Sequence, residues 1–525
     1  MRLILEEAAP FERSVAWRLH HAYWEQRGAA AWTSGEVPSH ATTNRAAARQ
    51  KVRLFLALVA DLVAAGELLD DDPVWVLEAG AGSGVFARNF LAALDAEPDA
   101  ADVARRTRFI ASDYAEKNLR DLRAQPAVAA LVEAGRLVLA RWDMTAPHRL
   151  RELDGGPVTR PITLVLASYV ACVLPMKYLQ RSAAGEWREL RVTIAAELDG
   201  AAPTTPDAYL DALTADATRA ALLEKLDFTY AFAPTTLADA LPDPLHAATV
   251  ERALRGLGAA TLGYPVLYVD FLRGVEALLV RGGAVVTTDY GSANRLPLVG
   301  EVERPPQRYG NSLAQEVSFP TLEAFAKVAG WDCLRTKSEL ATSHTAAMTP
   351  WRFGDATRGV FGAVFPYVCE SDHLLDFVSA ARRYARERSF ARAVRFFLLA
   401  VALDPDNAEL RAQLAEAAIE AGVPRLAREQ LLVGLELDPT AADFEFMIGR
   451  ALAHEGKRED AVAWYERSLA REAHPTTWAN LAEIHATAGR KEEARRCYEA
   501  ALALDPEHGD ARERLAELDA GGDGG

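Results

Sequence analysis

The sequence predicts an α/β domain built on a mostly parallel sheet, followed by an all-α solenoid of helical repeats. Three observations predict this. Between residue 74 and about 170, short apolar runs alternate with helical patterns, as strands and crossover helices do in a parallel sheet. The first run passes through a glycine-rich turn into a helix, VWVLEAGAGSGVFARNFL, Val74 to Leu91. From 374 the texture changes to helical pairs that recur every 34 or 33 residues. A chain of 525 residues is too long for one ordinary core, and its length fits roughly two to four domains.

Composition narrows the function classes. Half the residues are hydrophobic and a quarter charged, as in ordinary soluble globular proteins. The formal net charge of -16 argues against a nucleic-acid partner, whose phosphates need a basic surface, and against a polybasic membrane patch. An acidic balance fits a basic or neutral partner, and solubility explains it equally well. Cys172, Cys333, Cys369 and Cys497 are scattered, with no Cys-x-x-Cys pair, which fits a reducing compartment and offers no zinc site. The N-terminus has only a four-residue apolar run, so no signal peptide is expected there. No apolar run approaches the roughly 20 residues that span a bilayer. The expectation is a soluble cytoplasmic protein with no metal.

The elements follow in order. Residues 1–70 read as an N-terminal helical segment that ends at Asp-Asp-Pro. Strands are expected at VWVLEA, TRFIAS near 110, RLVLAR near 138 and ITLVLAS near 165. Residues 181–265 break the rhythm with short helical patterns and Pro-rich turns, and read as a helical insertion capping the sheet's carboxyl edge. The sheet resumes with GGAVVTTDYG near 286 and closes with strands around 331–337 and 357–368. The α/β domain thus covers 71–373, the repeats with a capping helix 374–520, and a disordered tail 521–525.

The glycine turn selects among ligands. Gly80, Gly82 and Gly84, with Ala81 inside the turn, give Gly-x-Gly-x-Gly. The dinucleotide fingerprint needs a glycine at 85, where valine stands, and no Gly-Lys-Ser/Thr follows for a phosphate loop. Glu78 lies two residues ahead of the first glycine. A carboxylate there repels a pyrophosphate and favours a cation. S-adenosylmethionine carries a sulfonium and an ammonium. Asp113, just past the second strand with Tyr114 beside it, is placed to accept ribose hydroxyls. Asp143, just past the third, is placed to accept from an adenine amino group, with Met144 against the ring. Ligands of open α/β sheets bind at these carboxyl ends, and Ser168 at the fourth completes the candidate cofactor set. His20 and His21 have no His-x-x-x-His spacing or carboxylate cluster, and read as solvated or core-satisfied.

In the last third, Gly422, Gly456 and Gly489 recur at 34 and 33 residues. Ala393, Ala427, Ala461 and Ala494 recur at 34, 34 and 33, each followed four residues later by Phe397, Leu431, Tyr465 or Tyr498. A small residue is needed where two helices cross closely, and a large one fills the space beside it. Pro405, Pro439 and Pro506 end helices. This resembles the tetratricopeptide repeat, four copies over 374–507, with Ala418 in the second where an aromatic is usual. The resemblance implies a concave groove for an extended or helical peptide. Tethering such a groove to a catalytic domain raises the local concentration of a bound peptide. Dimerisation, giving a homodimer, or docking in a complex is the other reading of the repeats.

The region 15–370, insertion excluded, resembles class I S-adenosylmethionine-dependent methyltransferases, and more narrowly the MidA-like family, which includes a mitochondrial complex I assembly factor that methylates protein arginine. LEAGAGSGVFARNFL, SDYAEKNLRDLRAQ, GGAVVTTDYG and RYGNSLAQEVSFPTLEAFAKVAGWD carry the resemblance. It implies a Rossmann-like methyltransferase sheet. After the fourth strand that family shows Asn-Glu and then Asp-Ala-Leu-Pro, whereas here Ser168-Tyr169 and Cys172 stand instead, ahead of a retained Leu174-Pro175. A guanidinium needs a carboxylate pair for bidentate binding, so the departure argues against arginine as acceptor. The candidate acceptor wall is Asp289-Tyr290 with Ser168-Tyr169. Asp289 either orients or deprotonates an acceptor or caps its turn, and the tyrosines either line a methyl channel or pack in the core. The expected function is methylation of a peptide or protein recruited partly by the repeats. The alternatives are a small-molecule methyltransferase and a non-catalytic adaptor with a vestigial cofactor fold.

Overall fold

The computed structural model describes residues 2–28, 43–197, 205–216, 223–301, 307–309, 312–337, 343–365, 370–405, 407–438 and 442–520. The expected tail at 521–525, Cys369 and Pro439 lie outside them. The chain divides into two compact units, Met1–Asp372 and His373–Gly525.

The larger sheet of the first unit contains β1 (Val74–Ala79), β2 (Thr107–Asp113), β3 (Leu137–Arg141), β4 (Ile162–Ser168), β5 (Leu279–Ser292), β6 (Asp332–Arg335) and β7 (Ser343–Thr349). They lie in the order β3-β2-β1-β4-β5-β7-β6. The first five run parallel, with Val76 opposite both Phe109 and Leu164. β7 is antiparallel to β5, and β6 to β7. Two short strands, Arg151–Glu152 and Val317–Ser318, join β3 and β5. Ile162 to Ala167 are all buried, as a strand covered on both faces must be. Strand order reverses between β1 and β4, where an open sheet of this kind has its ligand crevice.

A second, antiparallel sheet joins Arg2–Pro10, Lys177–Arg181, Trp187–Glu197, Leu226–Thr235 and Ala260–Tyr264. This corrects two expectations. The N-terminus opens as a strand paired with Trp187–Glu197 before its helices Val15–Arg27 and Arg45–Ala64 begin. The stretch expected as a helical insertion mixes sheet with helix, its strands Trp187–Glu197, Leu226–Thr235 and Ala260–Tyr264 alternating with helices Pro206–Ala215, Leu237–Ala240 and Pro244–Ala253. LDFTYAFAPT alternates half-buried and exposed residues over much of its length, and both it and WRELRVTIAAE carry β-branched or aromatic residues, a strand signal that the intervening prolines obscured. A third correction concerns the strand expected at 357–368. Asp355–Val364 is a helix, and the missing strand is β7. Asp61 starts that helix from a distance, its carboxylate accepting from the amides of Ala356 (3.1 Å) and Thr357 (2.8 Å). Among the described residues, no helix is long and apolar enough to cross a membrane.

The described part of the second unit is a succession of helices, ending with Gly509–Ala520. Ala393, Ala427, Ala461 and Ala494 are fully buried, and Phe397, Leu431, Tyr465 and Tyr498 fill the core beside them. Gly422, Gly456 and Gly489 close the first helix of successive pairs with φ of 75°, 79° and 76°. Arg388 occupies the same slot one period earlier, at φ 55°. A side chain in that conformation costs about 1–2 kcal/mol, partly offset by the greater freedom of glycine in the unfolded chain. Arg388→Gly is therefore expected to stabilise this unit by about 0.5 kcal/mol. Calorimetry of the full chain should show the transition of this unit unchanged in shape and raised by about 2 °C; a lowered transition would mean that the arginine side chain contributes more than its backbone costs.

Candidate functional site

The glycine turn joins β1 to the helix Val85–Asp95 at the reversal of strand order. Gly80, Gly82 and Gly84 have φ of 75°, 52° and 72°, so the turn is a shape that residues with side chains rarely take. The Ala81 amide donates to the Ser112 carbonyl (2.8 Å), and the Ser112 hydroxyl to the Glu78 carbonyl (2.5 Å). Asn118 completes the tie: its amide nitrogen donates to Gly82 O (2.9 Å) and to Asp113 Oδ2 (2.8 Å). Asp113 Oδ1 accepts from the Ala115 amide (3.0 Å). The turn and the acid at the end of β2 are thus one hydrogen-bonded piece.

That piece is short of donors. Glu78 is only 5% exposed, and its Oε2 is buried with no hydrogen-bond partner among the described residues. Burial, and then the charge of Asp113, hold its carboxyl well above the usual carboxylate range. Burial raises Asp113 too, against the pull of its donors at Ala115, Asn118, Gly82 and Tyr114. Ser83 Oγ and Asn118 Oδ1 are likewise buried and unpartnered among the described residues. An orphaned buried acceptor costs about 1–3 kcal/mol, and a ligand that brings positive charge and donors relieves it.

Next to it, Asp143 is exposed and accepts from the Thr145 amide (2.8 Å) and hydroxyl (2.7 Å). Met144, expected against a ligand ring, is 8% exposed and packs into the core, which leaves little of it for a ligand. Tyr114 turns towards the N-terminal helix, its hydroxyl donating to His21 O (3.4 Å).

On the neighbouring strand, Ser168 ends β4 half-buried and Tyr169 takes φ 55°, a strained backbone for an aromatic residue, with its amide on Thr288 O (2.8 Å). The Tyr169 and Tyr290 rings lie 6.4 Å apart at 31°. Asp289 is 0% exposed, and its two oxygens accept from the amides of Cys172 and Tyr290, each at 3.0 Å. Burial pushes its carboxyl up to about 7, against the pull of the Cys172 thiol and amide. Burial and Asp289 together hold that thiol well above its ordinary range. Each oxygen of the carboxylate is thus engaged by a main-chain amide. One oxygen thereby ties the end of β5 to the turn Ala171–Val173. Gln315 supports the same turn, its amide on Cys172 O and its side-chain nitrogen on Leu174 O, both 2.9 Å. Asn118 and Gln315 escaped the sequence reading, because nothing local marks a residue whose partners lie 36 and 141 positions away.

Residues 475–508 match the tetratricopeptide repeat family. The chain contains a tetratricopeptide repeat. Similar solved structures include YrrB, described as a tetratricopeptide repeat protein with an unusual peptide-binding site, at 19% identity over 30% of this chain and 78% of that one (TM-score 0.25). A thermophilic tetratricopeptide repeat protein of Thermus thermophilus is 23% identical over 32% of this chain and 90% of its own (TM-score 0.26). An uncharacterized protein from Burkholderia thailandensis is 20% identical over 63% of this chain and 73% of its own (TM-score 0.37). No curated protein matches. Where the tetratricopeptide repeat at 475–508 has Trp478, the preceding helical pair has Glu445, 33 residues earlier. Glu445 is 1% exposed and clamped by Arg467 (3.0 Å) and Arg471 (2.9 Å), so an ion cluster replaces an aromatic in that layer.

Proposed function

We propose that this chain is an S-adenosylmethionine-dependent methyltransferase acting on a peptide or protein substrate recruited in part by its C-terminal repeats. One observation carries the reading: the buried, unpartnered Glu78 carboxylate stands beside a glycine turn and Asp113 at the reversal of strand order. Those residues fit the group. Glu78 supplies a counter-charge for an ammonium or sulfonium, Asp113 stands at the end of β2 where a ribose would lie, and the left-handed glycines let a ligand approach the backbone. The cofactor, when bound, supplies a methyl group on a good leaving group, so the chain's work is alignment and exclusion of water. Tyr169 and Tyr290 form an aromatic wall suited to that exclusion. With Asp289 committed to its turn, that wall presents no carboxylate pair, which favours an acceptor other than a guanidinium. The repeats favour a peptide over a small molecule, because a groove tethered to a catalytic unit concentrates a peptide there.

Calorimetric titration of the full chain with S-adenosylmethionine is expected to show one site, abolished by Gly82→Arg, whose side chain would fill the turn at φ 52°. Incubation with cofactor and a peptide library should then yield singly methylated products by mass spectrometry. Absence of binding by the wild type, or equal binding by the variant, would sink the proposal.

A further inference from the structure

Of the two adjacent histidines, one is a core residue and the other is not. His20 is buried, its ring lies edge-on to Trp17 at 5.3 Å, and its Nδ1 accepts from the Leu313 amide (3.0 Å). Burial pushes it down to about 3, so it stays neutral as an acceptor. His21, one residue on, points to another side of the helix and is half-buried. Its ring stands 5.8 Å from the Tyr114 ring at 65°, and its carbonyl takes the Tyr114 hydroxyl. Among the described residues its ring nitrogens hold no hydrogen bond. Burial lowers its proton affinity, while the charges of Asp143 and Glu25 act in the opposite direction and neutral His20 lies alongside at 5.6 Å. His21 is therefore placed within the field of the acid that ends β3 and against the tyrosine that follows the acid of β2.

Two pins keep it there. One is the His20–Leu313 bond. The other is Gly28, which ends the helix at φ 58°. A Cβ on Gly28 would come 2.5 Å from Asp121 Oδ2 and 3.0 Å from Lys117 Nζ, both on the helix Glu116–Ala124 that follows Asp113. The N-terminal helix is thus seated closely on the element that positions the ribose-side acid.

We propose that His21 is a ligand-binding residue: carried in by the N-terminal helix, its ring forms with Tyr114 an aromatic wall on the nucleoside side of the cradle, between Asp113 and Asp143. The ligand class is a purine nucleoside bearing a cationic tail, and the inference rests on the methyltransferase reading above. An aromatic wall of this kind gains from a base through edge or face contact, and needs no charge on the imidazole.

The test is calorimetric titration of the full chain with S-adenosylhomocysteine, the non-reactive product of the proposed reaction. His21→Ala is expected to weaken binding about ten-fold or more, with the melting temperature of the free protein unchanged. His21→Phe, which keeps the wall, is expected to bind within about three-fold of wild type. His20→Ala, in contrast, should lower the melting temperature. If His21→Ala folds poorly, His21→Asn takes its place with the same expected loss. Wild-type binding that His21→Ala or His21→Asn leaves intact overturns this inference alone. A wild type that does not bind S-adenosylhomocysteine overturns the methyltransferase reading and this inference with it.

Discussion

Gly291→Ala is expected to destabilise the first unit by about 3 kcal/mol or more, enough to remove most of a typical domain's margin. Gly291 follows Asp289-Tyr290 at φ 154°, a conformation open in practice to glycine alone. Its place in β5 is opposite Val317, in the short parallel pairing with Val317–Ser318. A methyl group there would run into the Val317 carbonyl oxygen and come 2.7 Å from its amide nitrogen. Both are main-chain atoms held in the sheet, so no side chain can turn aside to relieve the clash. On the other side, the Gly291 carbonyl is 3.2 Å from His344 Nε2, which limits any shift of the strand. Gly330 makes the control, because it too has a positive φ, 79°, but nothing lies within 4 Å of an added Cβ. Gly330→Ala therefore isolates the conformational cost, about 1 kcal/mol. Urea unfolding followed by circular dichroism measures both. A Gly291→Ala midpoint as high as that of Gly330→Ala would show that the Val317 strand yields, and that the pairing is not fixed.

What the sequence made legible follows from where the partners sit. The glycine turn and Asp113 are local: closely spaced glycines and an acid at a strand end announce a backbone shape and a charge without reference to the rest of the chain. The repeat positions were legible because the same constraint, a small residue at each helix crossing, is written several times at a fixed period. The second sheet was not, because its pairings join Arg2–Pro10 to residues 191–197, and a strand edge is only as visible as its partner. Asp289 read as a candidate acid because nothing near it reveals that the amide and thiol of Cys172, 117 positions away, already occupy it. Asp61 starting the helix at 355 belongs to the same class. Arg388 is the reverse case: the period marks its slot as glycine, and the chain puts an arginine there and bears the strain.

Glu78→Gln is expected to act in opposite directions on stability and on binding. In the free protein the folded chain holds the Glu78 carboxyl well above its ordinary value, by burial first and by Asp113 second. An acid raised in the folded state adds nothing below its unfolded pKa, near 4.5, where both states are protonated. As pH rises past that value the unfolded chain ionises first, so stability is lost until the folded value is reached and stays reduced above it. The glutamine variant has no such group, so the free variant is expected to melt higher than wild type at pH 8 and to converge with it near pH 4. Asp113 and Asp289 are raised in the same direction and keep their share of the pH dependence, so the profile should flatten without vanishing. Binding moves the other way. If the carboxylate is there for an ammonium or sulfonium, the amide keeps its shape and loses its charge. Affinity for S-adenosylmethionine should fall by about 10- to 100-fold, the range for losing a charge-assisted hydrogen bond. The thermal shift that saturating cofactor gives the wild type should shrink accordingly. A purely structural glutamate predicts the opposite first result, a variant that melts lower at pH 8, with affinity unchanged. Higher stability with weaker binding is the signature of a residue kept at a thermodynamic cost for its ligand.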